Sequence, residues 1–289
     1  MAVNNPEFGL ALGGGGARGL AHIHVLEVLD ELGIKPKIIS GTSIGAIFGA
    51  AYAAGLSGKE IREFSMEAMG KRIRIFKNLF GHSPKTLFQL WNVKELSKSL
   101  LSPEMLLEKL FPDELQTDFD KLKIPMKVVA TAYYTHNQVV LDKGPVLPAV
   151  AASMALPVVF RPVMIDDVLL VDGGLANPVP FDVLQDDIKQ VVAIDVTGGP
   201  VWDGQTKMPS MAEVLYAAAQ IPQNTIIQEK MKQYKPTIFL RAPVQNYPSL
   251  AFHKIKEILE KTEDFRDLVK REIEEKLEAT PIQLGYTRN

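Results

Sequence analysis

The chain has 289 residues, 46% of them hydrophobic and 23% charged, with a formal net charge of -2 and no cysteine. That length supports one large α/β domain or two small ones, and the charge balance excludes a general attraction to nucleic acid or anionic lipid, so any such contact needs a local patch. Without cysteine there is no disulfide, no thiolate nucleophile and no Cys-ligated zinc.

The first residues, Met1 to Glu7, carry neither a basic n-region nor an apolar h-region, and no apolar run reaches the roughly 18 residues of a membrane span. Both point to a cytoplasmic protein that at most visits a membrane surface. Phe8 to Leu12 is a short apolar run, predicted as a buried first strand. Gly13-Gly14-Gly15-Gly16-Ala17-Arg18-Gly19 follows, then a helix with apolar residues at 20, 23, 26, 29 and 32 that stops at Gly33. The loop formally contains Gly14-x-Gly16-x-x-Gly19, a dinucleotide fingerprint, but that reading needs an acidic residue at the end of the second strand. None stands there, since Asp30 and Glu31 come earlier, on the helix. The alternative is that bare glycine N–H groups meet an oxyanion, with Arg18 holding the loop or adding positive charge.

The second strand, Lys37 to Ser40, runs into Gly41-Thr42-Ser43-Ile44-Gly45, and small residues Ala46 to Ala54 then read as a helix. A G-x-S-x-G pentapeptide between strand and helix is a nucleophile elbow, a tight turn that presents one serine near a helix N-terminus. Ser43 is that serine, and side chains at Gly41 or Gly45 would collide with the neighbouring strand and helix. Ser57 and Glu60 form a capping box for a helix running toward Met69. Residues 71–91 mix Lys71, Arg72, Arg74, Lys77 and Lys85 with Phe76, Phe80, Phe88 and Trp91. This pattern suits a lid or a peripheral membrane flap, and equally an ordinary half-buried surface segment. Asn92 with Glu95, and Ser102 with Pro103, mark two more helix starts.

Strands are predicted over 124–131 and 138–141 around a polar turn, then a helix over 145–155, then a hairpin of 162–165 and 168–171 around Asp166-Asp167. Its second arm leads into Asp172-Gly173-Gly174, where a strand-end carboxylate could serve as a base. A strand over 190–196, helices over 210–234 with a break at Pro222, 248–259 and 262–279, and a late strand over 237–243 complete the pattern. Alternating strands and helices indicate a three-layer α/β domain with a partly parallel sheet.

A serine hydroxyl needs something to take its proton. The five histidines, His22, His24, His82, His136 and His253, include none late in the chain at a strand end with a carboxylate before it, although His253 stays open. Ala46 stands where a Ser-x-x-Lys arrangement would need lysine. Asp172 is the leading candidate base and Asp195 the second. An aspartate at its ordinary pKa near 3.9 is a weak base, so burial would have to raise it.

Four stretches in order, Gly13 to Gly19, Gly41 to Gly45, Ala151-Ala-Ser-Met-Ala-Leu-Pro157 leading into Phe160-Arg-Pro162, and Asp172 to Gly174, resemble the sequence blocks of the patatin-like phospholipase family. Within it, the chain looks most like short bacterial members related to the neuropathy target esterase catalytic domain. The resemblance implies a three-layer α/β/α fold with a mostly parallel central sheet, a catalytic domain over 8–198, and a mainly helical extension over 199–289 packed on it. It implies a histidine-free dyad of Ser43 and Asp172, with Gly14, Gly15, Gly16 and Arg18 building the oxyanion hole. Gly19, Gly41, Gly45, Gly173 and Gly174 complete the motifs. The expected substrate is a lipid ester, a phospholipid or lysophospholipid, cleaved without metal or cofactor. A general carboxylesterase or thioesterase, or a non-catalytic scaffold keeping the fold, are the alternatives. His24 departs from the family's usual glycine and Ala132 from a common aspartate. An aspartate base also predicts activity persisting further into acid than a histidine allows.

Overall fold

The computed structural model describes residues 6–67, 102–110, 117–157, 159–200, 204, 208 and 211–277. The basic aromatic stretch 71–91 and the expected helix start at Asn92 lie outside the described residues. In chain order the elements are β1 Phe8–Leu12, α1 His22–Glu31, β2 Ile38–Thr42, α2 Ile44–Ala54, α3 over 58–67, α4 Pro103–Leu110, β3 Met126–Ala132 and β4 Gln138–Leu141. There follow α5 Val146–Ser153, β5 Val163–Ile165, β6 Val168–Asp172, β7 Gln190–Asp195, α6 Met211–Gln233, β8 Ile238–Arg241, α7 Ile255–Lys261 and α8 Glu263–Lys276.

Side-chain alternation along the central strands builds the layers. In β1, Leu10 and Leu12 enter one core, with Ile23 of α1, Phe48 of α2, Val150 of α5 and Val269 of α8. Ala11 points the other way, into a second core with Val191 and Ala193 of β7, Phe181, Leu184 and Ile227 of α6. Successive strand residues face opposite sides, so a strand buried on both faces reads as an unbroken apolar run. The result is the three-layer α/β/α arrangement.

Strands β8, β7, β1, β2 and β3 are mutually parallel. β4 and β6 run antiparallel to β3, and β5 antiparallel to β6, so the mostly parallel sheet is mixed at the β3 end. The registers on β3 fix the site. Val128 and Val129 pair with both β2 and β4, which therefore occupy opposite edges. Ala130 and Thr131 pair with both β4 and β6, which are again on opposite edges. It follows that β2 and β6 share one edge of β3 and meet end to end, with Thr42 opposite Val129 and Asp172 opposite Ala130.

The capping box is present: Ser57 N–H donates to the Glu60 carboxylate at 2.7 Å and Glu60 N–H to Ser57 Oγ at 3.2 Å. One expectation fails at Pro222, where α6 runs on from Met211 to Gln233 without a break. A proline removes one helical hydrogen bond. Here the helix is held on both sides of it, by Gln220 Nε2 donating to Ser249 Oγ and by Ile227 in the second core. The predicted helix over 248–259 shortens to a 3-10 turn, Phe252–Lys254, followed by α7. Within the expected extension, β8 pairs with β7, and α8 reaches α1 through Arg266 and Lys270, which both pair with Glu31.

Candidate active site

Ser43 connects β2 to α2 with φ 53° and ψ -120°. A non-glycine residue at positive φ costs on the order of 1–3 kcal/mol and persists only where its surroundings enforce it. The enforcement comes from close packing on either side. A Cβ at Gly45 would stand 2.1 Å from the Leu12 carbonyl oxygen, and one at Gly41 2.6 Å from Ala46 Cα. The strand end and helix start can thus approach only as glycine backbone, and the serine side chain is turned out of the bend.

The meeting of β2 and β6 on β3 brings Asp172 to that side chain. Ser43 Oγ donates to Asp172 Oδ2 at 2.7 Å. The other carboxylate oxygen accepts the Gly174 N–H at 2.7 Å, and the Asp172 carbonyl accepts Thr131 Oγ1–H at 2.9 Å. Gly173 lets the chain leave sharply, since a Cβ there would fall 2.1 Å from the Val129 carbonyl oxygen. Burial pushes the Asp172 carboxyl up to about 6, the hydrogen bonds from Ser43 and Gly174 opposing the rise. At neutral pH the group is therefore ionised yet basic enough to accept a proton.

Two hydroxyls behind Ser43 and Asp172 fix the elbow. Ser153, at the end of α5 and fully buried, accepts the Ser43 backbone N–H at 2.8 Å and donates to the Val129 carbonyl at 2.6 Å. Thr42 Oγ1 donates to the Asn177 carbonyl at 2.8 Å, tying the elbow to the chain beyond Asp172. Beyond its place in the third family block, the sequence signal for Ser153 is a hydroxyl inside an alanine-rich apolar helix, which must find partners once buried.

The glycine loop lies directly against the elbow, where a Cβ at Gly14 would be 3.3 Å from Ser43 Cβ. Its expected set of oxyanion donors narrows. The Gly14 N–H is taken by the Pro178 carbonyl at 2.8 Å, as Gly13's is by Ile194 at 2.9 Å. Arg18 is buried and works on the carbonyl side of the loop, its Nε donating to the Gly15 carbonyl at 3.2 Å and its Nη2 to Ser249 Oγ at 2.7 Å. Among the described residues, the N–H groups of Gly15 and Gly16 donate to no protein acceptor.

A family model for patatin-like phospholipase matches residues 10–184, the span that holds the elbow, the loop and Asp172. The chain belongs to that family. An uncharacterized NTE family protein of Mycobacterium tuberculosis strain H37Rv is 34% identical over 178 residues, 62% of this chain and 45% of that protein. The lysophospholipase NTE1 of Kluyveromyces lactis is 27% identical over 312 aligned positions, covering 97% of this chain and 20% of that one. Patatin-like phospholipase domain-containing protein 6 of Homo sapiens is 28% identical over 276, with 86% and 19% covered. The chain thus spans less than half the length of these relatives.

In this patatin-like site the other candidate groups are engaged elsewhere. Asp195 is fully buried, one oxygen accepting the Thr197 N–H and hydroxyl and the other accepting Arg241 Nε–H at 2.6 Å. His22 bonds the Gly13 carbonyl through Nε2 at 2.8 Å, and burial lowers its pKa to about 4, so it supports the glycine loop as a neutral ring. His24, in place of the family's usual glycine, bonds the Leu259 carbonyl at 3.0 Å and thereby ties α1 to α7. His253 is exposed on its 3-10 turn and His136 in the β3–β4 turn, and His82 lies outside the described residues. Among the described residues no cluster of three or more His, Asp or Glu side chains could hold a metal ion, and no helix is long and apolar enough to cross a membrane.

With the Asp172 carboxyl raised to about 6, close to a histidine's ordinary 6.5, a pH profile alone would not separate an aspartate base from a histidine.

Proposed function

We propose that the chain is a serine acyl hydrolase that cleaves fatty-acyl esters of phospholipids or lysophospholipids, with Ser43 as nucleophile and Asp172 as base. The observation that carries this reading is the 2.7 Å hydrogen bond from an elbow serine to a buried carboxylate whose pKa is raised to about 6. The patatin-like phospholipase membership supports the lipid ester as substrate class.

As Ser43 Oγ attacks the ester carbonyl carbon, its proton passes to Asp172 Oδ2 and the carbonyl electron pair moves onto oxygen. That oxyanion is held by the N–H groups of Gly15 and Gly16, which need no reorganisation because the loop is fixed around them. Collapse expels the alcohol portion of the lipid, which takes the proton from Asp172. A water then repeats the sequence on the acyl-enzyme, with Asp172 again accepting the proton, and the fatty acid leaves.

A fluorophosphonate probe tests the nucleophile, because it should label the native chain and leave Ser43→Ala unlabelled. Turnover of lysophospholipid against a short nitrophenyl ester tests the substrate class. A folded native chain that takes no label would remove the reading, and a strong preference for the short ester would replace lipid with a general carboxylesterase substrate.

A further inference from the structure

We propose that Ser249, outside the family-matched span, is a positioning residue that aims the Gly16 N–H, one of the two oxyanion donors. The inference rests on the hydrolase reading above and deepens it. Ser249 reaches the glycine loop with both its backbone and its side chain. Its carbonyl accepts the Ala17 N–H at 2.6 Å, and its hydroxyl accepts Arg18 Nη2–H at 2.7 Å. Arg18 in turn places Nε on the Gly15 carbonyl at 3.2 Å. Both Ser249 and Arg18 are buried, and Gln220 Nε2 from α6 reaches the same hydroxyl at 3.2 Å.

The peptide plane converts these bonds into direction. In a trans peptide the C=O of one residue and the N–H of the next point opposite ways. With the Gly15 carbonyl held by Arg18, the Gly16 N–H must face away from Arg18, on the opposite side of the loop. With the Ala17 N–H held by Ser249, the Gly16 carbonyl is likewise turned away from Ser249. Gly16 itself has φ 61°, and a Cβ there would stand 2.3 Å from the Ser249 carbonyl oxygen. Only glycine fits between the loop and this segment. Ser249 therefore acts on the Gly16 N–H indirectly, through Arg18.

The test uses the full chain with Ser249→Ala and Ser249→Cys, the second keeping the side-chain volume while offering only a weak acceptor. Measured are kcat and KM on lysophospholipid, the rate of fluorophosphonate labelling, and thermal unfolding. The expected result is a fall of about tenfold or more in kcat and an equal fall in labelling rate, with KM within about threefold, since an oxyanion donor acts in the transition state. Ser249→Cys that melts like the native chain yet keeps kcat and labelling rate within twofold would overturn the inference, leaving Ser249 a packing residue. A folded native chain that neither labels nor hydrolyses would instead overturn the hydrolase reading, and this inference with it.

Discussion

Replacing Asp172 with asparagine should abolish turnover and stabilise the protein, and the size of that gain follows from the site. Burial raises the carboxyl from 3.8 to about 6, a difference of roughly 2 pH units, which at ~1.4 kcal/mol per unit amounts to about 3 kcal/mol. Because the folded-state pKa is the higher one, the folded chain binds the proton more tightly than the unfolded chain. Asp172's contribution to stability therefore falls as pH rises from about 4 to about 6, and the full penalty of the buried charge applies above 6. Asparagine keeps the shape, can still accept the Gly174 N–H, and carries no charge to bury. His22 acts in the reverse sense: its pKa is lowered from 6.5 to about 4, so it costs stability as pH falls through that window. It is common to both chains and cancels in their difference. Urea unfolding of wild type and Asp172→Asn at pH 8 and pH 4 measures that difference directly. The variant should be more stable by about 3 kcal/mol at pH 8 and should lose most of that advantage by pH 4. A variant less stable than wild type at pH 8, or a gap independent of pH, would refute the reasoning.

On the wild-type enzyme, kcat/KM should show an acid limb near pH 6, falling tenfold per unit below it, as a pH-rate profile with lysophospholipid would record. Ser153→Ala removes the acceptor of the Ser43 N–H, and kcat should drop about tenfold with KM little changed, read by steady-state kinetics. Gly45→Ala forces a methyl against the Leu12 carbonyl at 2.1 Å and should cost about 3 kcal/mol or more, measured by urea unfolding or seen as loss of soluble protein. His24→Ala removes a fully buried ring and its 3.0 Å bond to the Leu259 carbonyl, which then keeps only the 3.3 Å contacts from Thr262, and should cost about 1–3 kcal/mol in the same assay, with kcat within twofold because the bond ties α1 to α7 and does not reach Ser43 or Asp172.

Local rules carried most of the architecture. Phe8–Leu12 and Gln190–Asp195 read as buried strands because both of their faces are covered, which makes the apolar run continuous. Gly41 was legible because its steric contacts, with Gly45 and Ala46, are close in sequence, and Gly45 because the pentapeptide pattern marks it although its contacts are with the distant Leu12 and Gly13. Pro222 misled for the complementary reason: a local rule about one missing hydrogen bond was outweighed by anchors from Ser249 and the second core. Ser249 had no sequence signal at all, being a polar residue in a loop whose partner lies 231 positions away.

The Ser43–Asp172 contact belongs to a further class, since nothing in the spacing of the two says that they touch. Their contact requires the register of a third strand, on which β2 stops at Val129 and β6 arrives at Ala130 along the same edge. Under the proposed mechanism, that arrangement also accounts for a base without imidazole. Two strand ends abutting on one edge put carboxylate and hydroxyl at 2.7 Å, leaving no room for a ring between them. The same abutment buries the carboxylate, and desolvation then lifts it to about 6, into the range an imidazole has in water. Backbone pairing thus supplies both the proximity and the raised pKa that the proposed aspartate base needs.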